Sequence, residues 1–372
     1  MKLFIFHHTL HCTTDIVILI LYYSSFFPVT FYFLTGEVLS FLFLKAREKV
    51  ETFSDQVSSN HDDWVSSVAV LGDLVLTGCY DNTVNIWRVS GAKVLVIPGH
   101  NQPVKTVAWI NKDTFVSGGG DQVVNMLRWS EESNSVEMVN CCRGHERSVE
   151  CVGVAGGGAV FSTGGWDNTV KIWSGNMVGE EGKSEAGESA AKRSKGGGVT
   201  RTPLQTLGGH KEAVSGLAWM EANTLASASM DHTIKLWDVE LGGLKHEIVG
   251  NKAFFSLSHN PISGSLLASS ADRSVRMYDP RTGAEQIVTS VFTSHTGWVS
   301  KVTWCQGSDN LFVTSSYDNL VKMWDARSSR TPLFDLSGSC HIMITFTCLT
   351  QILSQVTLTR FYPVIGQTQI TL

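Results

Sequence analysis

Short runs of alternating apolar and polar residues recur through the middle of the chain, and each run is bounded by turn-forming residues. Val104 to Trp109 alternates as a half-buried strand does, and Thr114 to Ser117 forms the next run. Asn82-Thr83 leads into another run at Val84 to Trp87, with the turn-forming Asn at its start. Because β-branched and aromatic residues dominate these runs, the pattern predicts strands and an all-β chain.

One eight-residue motif recurs six times between residues 80 and 324. The copies are YDNTVNIW (Tyr80 to Trp87), GDQVVNML (Gly120 to Leu127), WDNTVKIW (Trp166 to Trp173), MDHTIKLW (Met230 to Trp237), ADRSVRMY (Ala271 to Tyr278) and YDNLVKMW (Tyr317 to Trp324). Successive Asp residues of the motif are 40, 46, 64, 41 and 46 positions apart. Repeats of this length are typical of β-propellers, in which each copy is one four-stranded blade.

The copies resemble WD repeats, which carry Gly-His near one end and Trp-Asp near the other. Gly-His stands at 99–100, 144–145 and 209–210, and Trp-Asp stands at 237–238 and 324–325. A His precedes the motif Asp by 20 to 23 residues in five copies, and Asn251 takes that place in the fifth copy. The resemblance implies a WD-repeat β-propeller.

In WD propellers a His, a Ser or Thr, the Asp and the Trp of one copy form a hydrogen-bonded chain, because a buried indole and a buried imidazole need partners. The second copy has Leu127 in place of Trp, and the fifth has Asn251, Ala268 and Tyr278, so we expect a broken chain and a softer blade in the fifth copy. Four copies carry the whole set: His61, Thr77, Asp81 and Trp87; His145, Thr163, Asp167 and Trp173; His210, Ser227, Asp231 and Trp237; His295, Thr314, Asp318 and Trp324.

A catalytic Ser-His-Asp set is unique and has an exposed nucleophile, whereas this set recurs in four copies. Its repetition indicates a structural role. We therefore predict no enzyme activity and no catalytic residue, and we expect neither a cofactor nor a metal site.

Two positions in each copy are predicted to lie on the loops around the propeller channel: the residue before the Asp, and the residue three after the His. Large side chains at such positions are typical anchors for protein partners. The alternative is that they only line the rim of the channel. The predicted partner-binding residues are Trp64, Tyr80, Trp166, Met230, Phe254, Trp298 and Tyr317.

Several strings beyond the repeat consensus resemble one family, the WD-repeat ribosome biogenesis factor of the PeBoW complex. They include HDDWVSSV (His61 to Val68), CCRGH (Cys141 to His145), GNKAF (Gly250 to Phe254) and SHTGWVSKVTW (Ser294 to Trp304). The resemblance implies a non-enzymatic scaffold that assembles the large (60S) ribosomal subunit and supports maturation of its ribosomal RNAs. It also implies a location in the nucleus, nucleolus and nucleoplasm. The implied partners are Pescadillo, the block-of-proliferation protein and the pre-ribosomal particle, with RNA contacted secondarily.

The family has seven blades and an amino-terminal ubiquitin-like domain that engages the AAA ATPase midasin. Residues 1–60 are too short and too apolar for that domain, so we do not expect midasin as a partner, and no seventh copy follows Leu336. The predicted fold is an all-β, seven-bladed type of WD-repeat propeller with six recognisable repeats and an incomplete or surrogate last blade. It spans residues 61–336, with a disordered insertion at 174–200, and residues 337–372 form a degenerate tail or a partial last blade.

The ends of the chain leave other interpretations open. Residues 1–60 are a hydrophobic segment that is either non-native or disordered, or else a membrane anchor, because no charged residue occurs from Ile16 to Gly36. As a helix this stretch would be irregular at Pro28. We favour replaced ends over a membrane anchor. A third hypothesis, a substrate receptor of a ubiquitin ligase, ranks last because no constellation of arginines is present at the predicted rim.

The composition of the chain excludes one class of protein and one mode of binding. The chain of 372 residues is 43% hydrophobic and 17% charged, which excludes a disordered protein. Its net charge of -5 excludes nucleic-acid binding through overall charge, although not through a local basic patch.

Overall fold

The computed structural model describes residues 63–88, 92–176, 199–281, 288–305 and 307–337, together with the backbone of four strands between residues 2 and 42. Every regular element in these residues is a β-strand, which confirms the predicted all-β class. They contain no helix that is long and apolar enough to cross a membrane. His61, the tail 338–372 and residues 177–198 of the predicted insertion lie outside the described residues. The chain divides into two compact units.

An antiparallel sheet of four strands precedes the repeats. Its strands, in both chain and spatial order, are β1 (Lys2–His8), β2 (Ile16–Tyr23), β3 (Phe27–Phe33) and β4 (Phe41–Leu42). This stretch therefore forms strands and not the irregular helix considered for it, and the account of residues 1–60 as non-native or disordered stays a prediction. β-branched and aromatic residues favour strands, and Pro28 would interrupt a helix.

The first unit contains blades 1 and 2. Blade 1 consists of β5 (Val65–Leu71), β6 (Leu74–Cys79), β7 (Thr83–Arg88) and β8 (Lys93–Pro98). Blade 2 consists of β9 (Val104–Trp109), β10 (Thr114–Gly119), β11 (Val123–Ser130) and β12 (Ser135–Arg143). A fifth strand, β16 (Val199–Arg201), pairs in parallel with β12 at the outer edge of blade 2. The predicted insertion at 174–200 overlaps a strand at each end, because Ser174 ends the strand Thr169–Ser174 and Val199 and Thr200 belong to β16. The disorder expected between them stays a prediction.

The second unit contains blades 3 to 6, each a four-stranded antiparallel sheet. Blade 3 consists of β13 (Val149–Val154), β14 (Val160–Gly165), β15 (Thr169–Ser174) and β17 (Gln205–Gly208). Blade 4 consists of β18 (Val214–Glu221), β19 (Thr224–Ser229), β20 (Thr233–Asp238) and β21 (Gly243–Val249). Blade 5 consists of β22 (Phe254–His259), β23 (Leu266–Ser270), β24 (Val275–Tyr278) and β25 (Val288–Phe292). Blade 6 consists of β26 (Val299–Trp304), β27 (Leu311–Ser316), β28 (Leu320–Asp325) and β29 (Phe334–Ser337).

Within each unit, neighbouring blades are joined through their innermost strands. The Ser66 hydroxyl of blade 1 donates to the carbonyl of Val104 in blade 2 at 2.6 Å. The Ser215 hydroxyl of blade 4 donates in the same way to Phe254 of blade 5, also at 2.6 Å. Blades 1 and 2 pack closely at Gly78. A Cβ at this position would lie 2.8 Å from Cγ1 of Val104, so a larger residue there would separate the two blades.

Candidate functional site

The motif Asp holds a tight turn at the loop end of every blade. Its carboxylate accepts the backbone N–H of the residue two positions later, as in Asp231 with Thr233 at 2.9 Å. The residue between them has a left-handed backbone in all six blades, with φ between 62° and 70°. These six residues are Asn82, Gln122, Asn168, His232, Arg273 and Asn319.

Blade 4 shows how the predicted hydrogen-bonded chain supports this turn. The Trp237 indole donates to the Ser227 hydroxyl at 2.8 Å, and that hydroxyl lies 2.7 Å from Nε2 of His210. Nδ1 of His210 lies 2.9 Å from the Asp231 carboxylate. The same carboxylate accepts the N–H of Lys211 at 2.8 Å. One chain thus connects the buried strands to both loops at this end of the blade.

The chain recurs in blades 3 and 6 with nearly the same distances. Trp173, Thr163, His145 and Asp167 form it in blade 3. Trp324, Thr314, His295 and Asp318 form it in blade 6. In blade 1 the Trp87 indole donates to Thr77 at 2.8 Å, and Asp81 accepts the Thr83 hydroxyl at 2.6 Å. The fourth member of that set, His61, lies outside the described residues.

The ionisation of the chain follows from its burial and hydrogen bonds. Burial lowers the pKa of His210, which favours the neutral imidazole. Burial alone would raise the pKa of Asp231, but bonds from the Thr233 hydroxyl, the Lys211 amide and His210 outweigh it and lower that pKa to about 2. A neutral His210 therefore donates through Nδ1 to a charged Asp231 and accepts the Ser227 hydroxyl at Nε2.

This chemistry leaves no accessible nucleophile in the chains. Ser227 and Thr163 are fully buried, and each hydroxyl is already engaged by an indole and an imidazole. A nucleophile must meet its substrate, so these sets fit structural supports of the loops rather than catalytic groups.

Blade 2 retains more of the chain than the sequence indicated. Nδ1 of His100 lies 2.9 Å from Asp121, and Nε2 lies 2.8 Å from the Ser117 hydroxyl. Leu127 removes the indole only, and the Asn125 amide donates to the carbonyl of Gly99 at 3.0 Å. Sequence reasoning left this set out because it required the Trp. The repeat spacing of His100, Ser117 and Asp121 was sufficient to predict this part of the chain.

Blade 5 corrects one predicted partner-binding residue. Phe254 is fully buried, because it is the first residue of the innermost strand, where the other five blades have Val. The residue on the loop is Ala253. The error came from placing Asn251 at the His position, since the structure places Gly250 there. A Cβ at Gly250 would collide with the ring of Phe254, so a His does not fit.

The two predicted series of loop residues lie side by side in every blade. The residue before the Asp donates its backbone N–H to the carbonyl of the residue that directly precedes the innermost strand, at 2.8 to 3.0 Å. The six pairs are Tyr80 with Trp64, Gly120 with Pro103, Trp166 with Ser148, Met230 with Ala213, Ala271 with Ala253, and Tyr317 with Trp298. One backbone bond per blade therefore fixes the side chains that the loops present.

In blade 1 this pair is aromatic and has a cationic neighbour. Trp64 is 55% exposed, and its ring meets the Tyr80 ring edge to face, with centroids 6.1 Å apart. The Lys105 ammonium donates to the Tyr80 hydroxyl at 2.6 Å and lies 4.0 Å from the centre of that ring. Lys105 was not among the predicted residues, although its place as the second residue of an innermost strand directs it to the same end of the blade.

In the second unit the aromatic residues concentrate on blades 5 and 6. Trp298 is 54% exposed and lies between Phe255 and Tyr317, with ring centroids 6.0 and 5.8 Å away. Trp166 on blade 3 is 41% exposed, and Met230 on blade 4 is half-buried. Phe255 was missed because neither predicted series includes the second residue of an innermost strand, the position that Lys105 holds in blade 2.

The buried cysteine thiols and the possible metal-ligating side chains add no reactive group to this site. Burial raises the pKa of the Cys79, Cys142 and Cys151 thiols to about 12, so these thiols stay protonated and unreactive. In the described part of the chain, no three His, Cys, Asp or Glu side chains are placed to hold a metal ion.

Comparison with known proteins agrees with the repeat structure. The family described as WD domain, G-beta repeat, matches residues 52–88, 91–126, 136–174, 201–238 and 286–325. The first three strands of blade 5, which has the altered chain, lie between the last two matched stretches, and β25 lies within the last one.

Curated relatives match about three quarters of the chain. The ribosome biogenesis protein WDR12 homolog of Culex quinquefasciatus is 46% identical over 283 residues, which are 75% of this chain and 66% of that protein. The homolog of Drosophila mojavensis is 47% identical over 282 residues, with the same coverage. That of Ixodes scapularis is 44% identical over 306 residues, which are 79% of this chain and 72% of the relative. The chain thus spans slightly less than two thirds of the first two relatives.

Proposed function

The chain belongs to the WD-repeat family of ribosome biogenesis proteins named WDR12 homolog, and on that premise we propose that it is a non-enzymatic scaffold in assembly of the large ribosomal subunit. It holds protein partners to the pre-ribosomal particle while the large-subunit RNAs mature. Its place of action is the nucleus, chiefly the nucleolus and nucleoplasm. The proposed partners are proteins of the Pescadillo and block-of-proliferation type.

The observation that best supports this proposal is a set of exposed indoles on the loops. Trp64, Trp166 and Trp298 are between 41% and 55% exposed, and each belongs to one of the backbone-bonded pairs. A large apolar side chain held in one place loses little conformational entropy on binding, so it contributes strongly to a protein interface. Complete hydrogen-bonded chains support the loops that carry Trp166 and Trp298.

The test is a double substitution in the second unit, Trp166→Ala with Trp298→Ala, in an epitope-tagged protein. Since anchor residues each contribute about 2 kcal/mol or more, we expect co-purification of pre-ribosomal particles to fall at least about 30-fold. The readout is the amount of precursor ribosomal RNA and of the two partner proteins recovered with the tag.

A matched control removes two exposed apolar side chains away from the loops. Leu204 and Leu241 are 66% and 83% exposed and belong to none of the loop pairs, so Leu204→Ala with Leu241→Ala should bind normally. A Trp166/Trp298 variant with an unchanged melting temperature and undiminished recovery of particles would refute the proposal.

A further inference from the structure

Exposed basic side chains gather on the loops of blades 4 and 5, although the whole chain has a net charge of -5. Lys211, Lys252 and Arg273 are all exposed and form no ion pair with any residue that the structure describes. Asp272 is paired with Arg276, whereas Asp231 keeps its negative charge beside the neutral His210. Glu212 is the other unpaired carboxylate of these described loops, so three cations face two negative charges and the local charge is positive.

A hydrogen bond and a ring contact join the loops that carry these residues to one another and to the aromatic residues of blade 6. The N–H of Gly250 donates to the carbonyl of His232 at 2.7 Å, which sets the blade 4 turn against the loop that carries Lys252. The Phe255 ring, which follows that loop, meets the Trp298 ring of blade 6. We name the resulting surface the loop patch, which consists of Lys211, His232, Lys252, Arg273, Trp298 and Tyr317.

One member of the loop patch, Arg273, holds an unfavourable backbone conformation. Its φ value is 69°, at the turn position where blades 1, 3 and 6 have Asn. Asn adopts the left-handed region readily, whereas a long side chain without a local hydrogen bond adopts it at a cost. A cationic side chain at a turn position that Asn would fill at lower cost points to a use for the cation of Arg273.

We propose that the loop patch binds single-stranded RNA. An acidic peptide would pair with the cations but make no use of the half-exposed rings of Trp298 and Tyr317. An apolar peptide would contact the rings and leave the cations unpaired. A single strand uses both, because its phosphates pair with Lys and Arg while its bases stack on aromatic faces. The inference rests on the proposed function, in which the particle that the scaffold joins contains such strands.

The test uses the purified full chain and a fluorescein-labelled oligouridylate, with affinity measured by anisotropy at several salt concentrations. Trp298→Ala should weaken binding about 5- to 150-fold, the effect of losing one stacked base. Arg273→Asn keeps the turn and removes the cation, so the slope of log affinity against log salt should fall by about 0.7. Gln122→Asn makes the matching change at an uncharged turn of blade 2 and should leave both affinity and slope unchanged.

The proposal is overturned if the wild-type chain does not bind the oligouridylate, or if Trp298→Ala and Arg273→Asn both bind like the wild type while their melting temperatures are unchanged. It is also overturned if polyglutamate displaces the RNA as effectively as unlabelled oligouridylate does, which would assign the patch to an acidic peptide. Recovery of pre-ribosomes with the tagged chain, without binding of oligouridylate, would refute this inference alone. Binding of oligouridylate without such recovery would refute the proposed function instead.

Discussion

Blades 4 and 5 adjoin in one unit and solve the same structural problem with different chemistry. In blade 4 the space under the loops is filled by His210, Ser227 and Trp237, which are joined to Asp231 by hydrogen bonds. In blade 5 the corresponding space holds Phe254, Ala268 and Tyr278, which are at most 1% exposed and pack in one apolar cluster.

The turn survives this exchange. Asp272 accepts the Ser274 hydroxyl at 2.5 Å through one oxygen, and its other oxygen pairs with Arg276 instead of a His. The backbone bond from Ala271 to Ala253 is kept at 2.9 Å. A WD blade therefore needs a filled space and a fixed Asp, and either polar or apolar side chains meet that need. The softness expected of blade 5 stays a prediction.

The largest effect is expected from Phe254→Ala in blade 5. Because the ring is fully buried and takes the space that a His fills elsewhere, its loss should lower the free energy of unfolding by about 3–5 kcal/mol in urea titration. Phe255→Ala is the matched control: this neighbouring ring is only half-buried, so its removal should cost clearly less. Equal losses in the two variants would show that Phe254 is not the support of blade 5.

A smaller effect is expected from Ser227→Ala in blade 4. The substitution leaves the indole of Trp237 and Nε2 of His210 without a partner, at a cost of about 1–3 kcal/mol by the same measurement. Ser269→Ala in blade 5 is the control, since the hydroxyl of Ser269 is equally buried but has no hydrogen-bond partner in the described structure. If Ser227→Ala costs no more than Ser269→Ala, the polar chain contributes nothing to stability.

The smallest effect is expected from pH. Burial lowers the folded-state pKa of His210 and His295 below 6.5, so the unfolded chain binds protons first and stability should fall as pH drops below about 6.5. His210 is surrounded by Asp231, Lys235 and Glu247, and the pKa of Asp231, about 2 against 3.8, adds a second loss between these two values. The check is urea unfolding at about pH 7 and about pH 5.

The control for pH is His210→Gln, which removes one titrating group from blade 4. This variant should show a shallower dependence of unfolding free energy on pH between about 7 and about 5. The prediction is wrong if the wild-type chain and the His210→Gln variant lose stability in parallel over that interval.

The spacing of the repeats predicted the blades and three complete hydrogen-bonded chains, because the His, Asp and Trp positions are set by the length of the strands between them. It misplaced blade 5 because the separation of His and Asp varies from 20 to 23 residues, and a count of 21 made Asn251 acceptable. The first residue of the innermost strand is a better guide, since Phe254 aligns with Val214 and Val299. Nothing in the local pattern predicted β16, because parallel pairing at an edge depends on which strand is near.

Strand β16 has a consequence for how the protein resists self-association. The outermost strand of a sheet has a row of unpaired amides and carbonyls that can template another polypeptide. Val199–Arg201 occupies that row along Asn140–Cys142 of β12, so a strand of only three residues becomes the edge of this sheet, and so short an edge is a poor template. The segment that lengthens the spacing between the third and fourth repeats therefore contributes, through β16, to preventing intermolecular β-sheet growth.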